Sequence, residues 1–293
     1  MKDAARLLAY FAAIIIFGAL IAPMLWWAAQ WGAAQGIFPG LAQYDFERFF
    51  RRALMLGAVV FIWPLLRWLR IGSWRDLGLE PNHHRARDVA IGFFTAAIPL
   101  LCCGAVLLVL EVYSLRDAVR WLALGGVVLS AIAVPFLEEG FFRGLFLGIL
   151  LRRNSRLSAI FVTSAIFSIL HFLKAPERTS TSVHWGSGFV SIANSFTQFA
   201  QPMLLVAGFL TLFLIGWILA DARVRTRSLW LPIGLHAGWI FANGAFNKIA
   251  QREMMALPWL GRNLLIGIVP LCLGLLTWAL IRIWLRYAEP RAS

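Results

Sequence analysis

Charge is scarce in this sequence. Only 14% of its 293 residues are Asp, Glu, Lys or Arg, and acidic residues are the rarer kind, 14 against 27 basic. A chain with so little charge and 60% hydrophobic residues cannot cover a water-facing surface of ordinary make-up, which excludes a soluble globular domain. Cysteine is scarcer still. Cys102, Cys103 and Cys272 stand inside apolar runs with no C-x-x-C spacing, which excludes a disulfide framework and a zinc knuckle and leaves them as packing residues. Low-complexity tracts, long linkers and internal repeats are missing too, so residues 1–293 read as a single integral membrane domain.

What the chain has instead is long apolar runs. Stretches able to cross a hydrocarbon core of about 30 Å, roughly 17 to 25 residues each, fall at 7–29, 49–69, 89–112, 121–151, 157–173, 203–220, 228–246 and 264–285, with the fifth and seventh the shortest. The expected fold is all-α, a polytopic membrane helix bundle of about eight transmembrane helices. The first run follows Lys2 and Arg6 but is longer than the apolar core of a secretory signal and is expected to be retained. Sorting Lys and Arg by connection places 16 with the N-terminus, 67–88, 152–156, 223–227 and the C-terminal tail, and 10 with the opposite face. By the positive-inside rule both termini are expected in the cytoplasm. The net charge of +13 has the same origin, because basic loops hold topology and meet anionic lipid headgroups. The bilayer is the expected partner and nucleic acid is not. His83 and His84 in the basic loop 71–88, and His184 in the polar outer segment 174–202, are expected to face water. Segment 174–202 suits an interfacial or re-entrant cover.

Against this background the stretch VPFLEEGFFRGLFLGIL, residues 134–150, places two glutamates and an arginine inside a span. A charge near the bilayer centre costs about 2.5–3.5 kcal/mol on insertion scales, so it needs a partner or a wet cavity. Glu139 and Arg143 are spaced i, i+4 and share a helix face, whereas Glu138 is turned away by about 100°. Arg143 can neutralise Glu139 in a structural ion pair and leave Glu138 free. In the next run Ser164, Phe167, Ser168 and His171 line one face. Glu138 lies 14 residues before Arg152 and His171 lies 15 after Arg156, so both stand about 21–23 Å from their shared loop. They can meet at one level. A third element, SLWLPIGLHAGWIFANGAFN, has Ser228 to cap a helix, Pro232 in its first turns and His236 between Gly234 and Gly238, whose small size lets another helix or a substrate approach. Pro135 can kink the fourth run, and Gly140, Gly144 and Gly148 form a small-xxx-small stripe for close packing.

Glu138, His171 and His236 form a candidate catalytic set for activating water, with a carboxylate to take the proton, one imidazole to orient the water and another to stabilise an oxyanion. The same three residues are equally a His₂Glu set for Zn²⁺ with an open position. Spacing does not separate the two. A proton-coupled transporter would also place a Glu and a His in the membrane, though paired repeats with broken helices are not evident.

In their order and spacing these residues resemble the CAAX protease and bacteriocin-processing family of intramembrane endopeptidases, related to the Ras-converting CAAX endopeptidase. The E-E-x-x-x-R motif matches Glu138, Glu139 and Arg143, F-x-x-x-H matches Phe167 and His171, and H-x-x-x-N/D begins at His236, so the motif region covers 121–246. The resemblance implies an endopeptidase with a hydrophilic cavity in the membrane, where Glu138 and His171 activate water and His236 holds the oxyanion. It implies a peptide or membrane-protein substrate, and an inner (plasma) membrane of bacterial type. One position departs from the pattern: Ile240 stands where Asn or Asp is expected. Asn243 shares nearly the same face but lies about 10.5 Å along the axis from His236, so oxyanion support would have to come from Asn243, from Asn194 in the outer segment, or not at all. A non-catalytic member acting as a scaffold or bacteriocin-immunity protein would keep the bundle and tolerate this loss.

Overall fold

The computed structural model describes residues 2–73, 75–80, 83–119, 121–172, 182–196, 202–254, 258–261 and 263–288. Its helices are α1 (Lys2–Ala34), α2 (Phe46–Trp68), α3 (Arg85–Val109), α4 (Trp121–Leu151), α5 (Arg156–Phe172), α6 (Ser187–Ser195), α7 (Pro202–Thr226), α8 (Trp230–Ile249) and α9 (Ile268–Tyr287). Two short strands, β1 (Tyr113–Leu115) and β2 (Ala250–Arg252), pair antiparallel with Ser114 opposite Gln251. The protein is an all-α polytopic membrane bundle. Each expected span coincides with a helix, but six, α1, α2, α3, α4, α7 and α9, are long and apolar enough to cross a membrane by length and composition. The expected count of eight therefore rests on α5 and α8. Of these, α5 is short, 17 residues, and α8 is shielded by protein: 12 of its 20 residues are buried. A helix surrounded by other helices needs less apolar surface than one facing lipid.

The helices group into two compact units, Met1–Gly72 with Phe172–Gln201, and Ser73–His171 with Pro202–Ser293. In the first, α1 and α2 pack through Ala19, Ala22, Phe46, Phe50 and Ala53. The Tyr10 hydroxyl donates to the Ala58 carbonyl at 3.0 Å. Helix α6 lies so close to α1 that a Cβ at Gly188 would come within 2.1 Å of the Ala19 carbonyl oxygen. The outer segment thus holds a short helix over 187–195, while 173–181 and 197–201 lie outside the described residues. His184 is exposed, as expected.

In the second unit α8 is the central post. It crosses α3 backbone to backbone, since a Cβ at Gly234 would meet the Val89 carbonyl oxygen at 2.3 Å and one at Gly238 that of Phe93 at 2.3 Å. The small neighbours of His236 therefore admit a helix, α3. The stripe on α4 behaves differently from its expected role in packing. Among the described residues only Gly144 is in contact, where a Cβ would lie 2.9 Å from the Leu77 carbonyl oxygen, while no described residue stands within 4 Å of the Cβ positions at Gly140 and Gly148. All three cysteines are free, and Cys102 and Cys272 are exposed on helix faces rather than packed.

Candidate active site

The site is built from α4, α5 and α8 around a change in helical winding. Helix α4 runs α-helical through Pro135 to Glu139, winds as a π-helix over Gly140–Phe146, and returns to α-helix for Leu147–Leu151. Single π turns inside α-helices re-aim side chains and occur often at functional sites. Here the turn begins directly after the two glutamates and contains Arg143.

Glu139 and Arg143 are both completely buried and joined by a bond of 2.8 Å from Arg143 Nη1–H to Glu139 Oε1. Two further contacts compensate the buried guanidinium. Its Nη2–H donates to the Gly216 carbonyl of α7 at 3.3 Å, and its carbon lies 4.3 Å from the centre of the Phe167 ring on α5. The ion pair inferred from spacing is present and ties three helices together.

The sequence did not disclose a second partner of Glu139. His236 Nδ1 lies 2.8 Å from the same Oε1. A carboxylate can only accept, so Nδ1 carries the proton and the ring's Nε2 is turned the other way. No spacing rule links residues 97 positions apart in the chain. His171 is fixed by the same logic, because its Nδ1 stands 2.8 Å from the Phe167 carbonyl oxygen, one turn back on α5. That i, i+4 relation was open to reading in the sequence.

Both imidazoles thus direct Nε2 at one carboxylate. His171 Nε2 is 3.6 Å and His236 Nε2 3.9 Å from Glu138 Oε2. These separations are too long for hydrogen bonds, and among the described residues the buried Oε2 has no hydrogen-bond partner. Glu138 and His171 keep 30% and 25% of their side chains exposed, whereas Glu139 has none. The adjacent carboxylates therefore differ in kind. One is sealed and charge-balanced, and the other is reachable and faces two nitrogen atoms.

Asn243 Oδ1 accepts from Asn247 Nδ2 at 3.1 Å, on the far side of Ile240 from His236. Asn194 belongs to α6 in the first unit. The serines of the α5 stripe are occupied by packing: Ser164 Oγ donates to the Ile160 carbonyl and Ser168 Oγ to the Phe209 carbonyl of α7. Ser228 does assist the start of α8, its Oγ accepting the Trp230 N–H at 3.3 Å. For zinc, the donor chemistry of Glu138, His171 and His236 is suitable, but among the described residues no three His, Cys, Asp or Glu side chains are grouped so that they could hold a metal ion.

Residues 120–242 match the model of a family described as type II CAAX prenyl endopeptidase Rce1-like. No curated protein and no solved structure matches the chain. The matched residues span α4, α5, α6, α7 and most of α8, and so include every side chain that converges at Glu138. Through this region the chain is similar to the Rce1-like family of CAAX endopeptidases.

Proposed function

We propose that the protein is an intramembrane endopeptidase in which Glu138 activates water. The observation that carries this reading is the convergence of two imidazole Nε2 atoms on the exposed carboxylate, while Arg143 withholds the neighbouring one. A water about 2.8 Å from Glu138 Oε2 can donate one proton to the carboxylate and the other to the neutral Nε2 of His171. Its oxygen attacks the scissile carbonyl carbon as Glu138 takes the proton. The carbonyl oxygen becomes the oxyanion and receives Nε2–H from His236 in its imidazolium form, whose Nδ1–H is held by Glu139. When the C–N bond breaks, Glu138 returns its proton to the leaving amine and the second water proton leaves through His171 Nε2, releasing a carboxylate and an amine.

Turnover of a prenylated CAAX peptide and of its unprenylated form, by the purified protein in detergent, tests this directly. Glu138→Gln keeps the size of the side chain but cannot take the proton, and should abolish cleavage. Undiminished cleavage by this variant would remove Glu138 as the base. Parallel metal analysis tests the zinc alternative: one zinc per chain, lost with activity in His171→Ala and His236→Ala, would replace this mechanism with a metal-assisted one. Ile240 favours a second reading, a non-catalytic scaffold or immunity protein, because no amide stands one turn beyond His236. Wild-type protein that is folded yet cleaves neither peptide would support that reading.

A further inference from the structure

A second charged cluster in the same unit lies outside the chemistry at Glu138. Asp221, near the end of α7, has a side chain only 9% exposed and draws cations from three helices. Arg225 Nε–H, on the same helix, donates to both carboxylate oxygens at 3.0 Å. Trp278 Nε1–H of α9 donates to Oδ2 at 3.1 Å. Arg156, the first residue of α5, brings Nη2 to 3.7 Å from Oδ1, and Arg282 of α9 brings Nη1 to 3.6 Å from Oδ2.

Three guanidinium groups thus share one carboxylate, which leaves two positive charges unbalanced. Among the described residues none of the three arginines pairs with another carboxylate, and Arg225 Nε–H to Asp221 is the one hydrogen-bonding group they use. The other N–H donors are free, on side chains 34–46% exposed. A merely topological excess of charge would sit as separate arginines on solvated loops. Here three helices aim their arginines at one buried point, so the excess charge has a fixed geometry.

The surroundings identify the ligand class. The cluster lies where α5 begins and α7 and α9 end, the face that the Lys and Arg count assigns to the cytoplasm. Leu157 on α5 and Leu280 and Ile283 on α9 are exposed close by in sequence, and the Arg282 guanidinium carbon stands 5.3 Å from the centre of the Trp278 ring. Unsatisfied guanidinium donors on helices that also expose apolar side chains suit a molecule with a phosphate at one end and acyl chains at the other. We propose that Arg156, Arg225 and Arg282 bind the phosphate of an anionic phospholipid, with Asp221 holding the three guanidinium groups in place and the acyl chains lying along Leu280 and Ile283. A soluble anion would gain nothing from these apolar side chains.

The test uses the full-length protein in detergent, with lipid retention read by native mass spectrometry and unfolding temperature by tryptophan fluorescence. The probes are phosphatidylglycerol, phosphatidylcholine and inorganic phosphate. Phosphatidylglycerol should be retained in preference to phosphatidylcholine and raise the unfolding temperature. Arg156→Gln and Arg282→Gln, at partly exposed positions that leave the Arg225–Asp221 bond intact, should each weaken retention about fivefold. Asp221→Asn removes the anchor that holds the three guanidinium groups in place and should weaken retention, whereas a purely structural ion cluster predicts only lower stability for that variant. Unchanged retention in the Arg156→Gln, Arg282→Gln double variant, or equal retention of both lipids, overturns the proposal. Protection by inorganic phosphate equal to that by phosphatidylglycerol overturns the lipid assignment.

Discussion

Two buried carboxylates of the second unit, Glu139 and Asp221, are managed in opposite ways. Glu139 is completely buried and meets one arginine and one imidazole. Asp221 is partly open and meets three arginines and an indole. Both clusters use α7, through the Gly216 carbonyl for Arg143 and through Asp221 itself. The difference follows from solvent. Deep burial makes an unbalanced charge costly, so charge and counter-charge are matched. Near the water interface an excess of cations is tolerable and available for binding. The sealed pair also explains why Glu138 stays available: Arg143, in contact with Glu139, Gly216 and Phe167, has no donor bonded to Glu138.

The largest break in this comparison should come from Arg143→Ala. Removing the cation leaves Glu139 buried and uncompensated, at about 3–5 kcal/mol, and the variant should show sharply reduced folded yield and a lower unfolding temperature in detergent. A well-folded but inactive Arg143→Ala protein would show that the pair serves chemistry rather than the scaffold. Next comes Glu138→Gln, whose cost falls on rate: about 10²–10⁴-fold in turnover, with an unfolding temperature close to that of the wild type. His236→Ala should combine both effects, losing an oxyanion donor worth about 2.7–4 kcal/mol and also one partner of Glu139. His171→Ala, which leaves both partners of the buried Glu139 in place, should inactivate with less loss of stability. Comparing unfolding temperatures of the two histidine variants checks that ordering.

Ile240→Asn carries a smaller expected effect. It adds an amide one turn beyond His236, about 6 Å along the axis, and a gain of about tenfold in turnover is expected because a grafted donor lacks its supporting contacts. Turnover and stability falling together would show that residue 240 does not face the reacting atoms. The smallest effect belongs to the interfacial cluster. Arg282→Gln should change stability in lipid-free detergent by less than about 1 kcal/mol, as for other partly exposed ion pairs.

The polar residues of the site were legible because each one breaks a local pattern. Glu138, Glu139, Arg143, His171 and His236 stand out against apolar helices, and helical spacing alone paired Glu139 with Arg143. The depth count brought Glu138 and His171 to one level, and they stand 3.6 Å apart. The serine stripe on α5 was read as part of a wet face but serves helix packing, since a hydroxyl bonded to a carbonyl is indistinguishable in sequence from one facing water. The glycine stripe on α4 failed for a related reason: small residues permit close approach, but an approaching element must also be present.

By itself the sequence determined the helical membrane class, the positions of the helices and which polar residues stand out within them, because hydrophobic run length and i, i+4 spacing are local properties of a chain in lipid. Tertiary structure alone decided that Glu139 has two partners, that both imidazoles turn Nε2 toward Glu138, and that three arginines from different helices meet at Asp221. Those facts depend on which helices cross and at what depth. Crossing is set by backbone contact between α3 and α8 at Gly234 and Gly238 and by the winding of α4 at Gly140–Phe146, neither of which leaves a distance-independent mark in the order of residues.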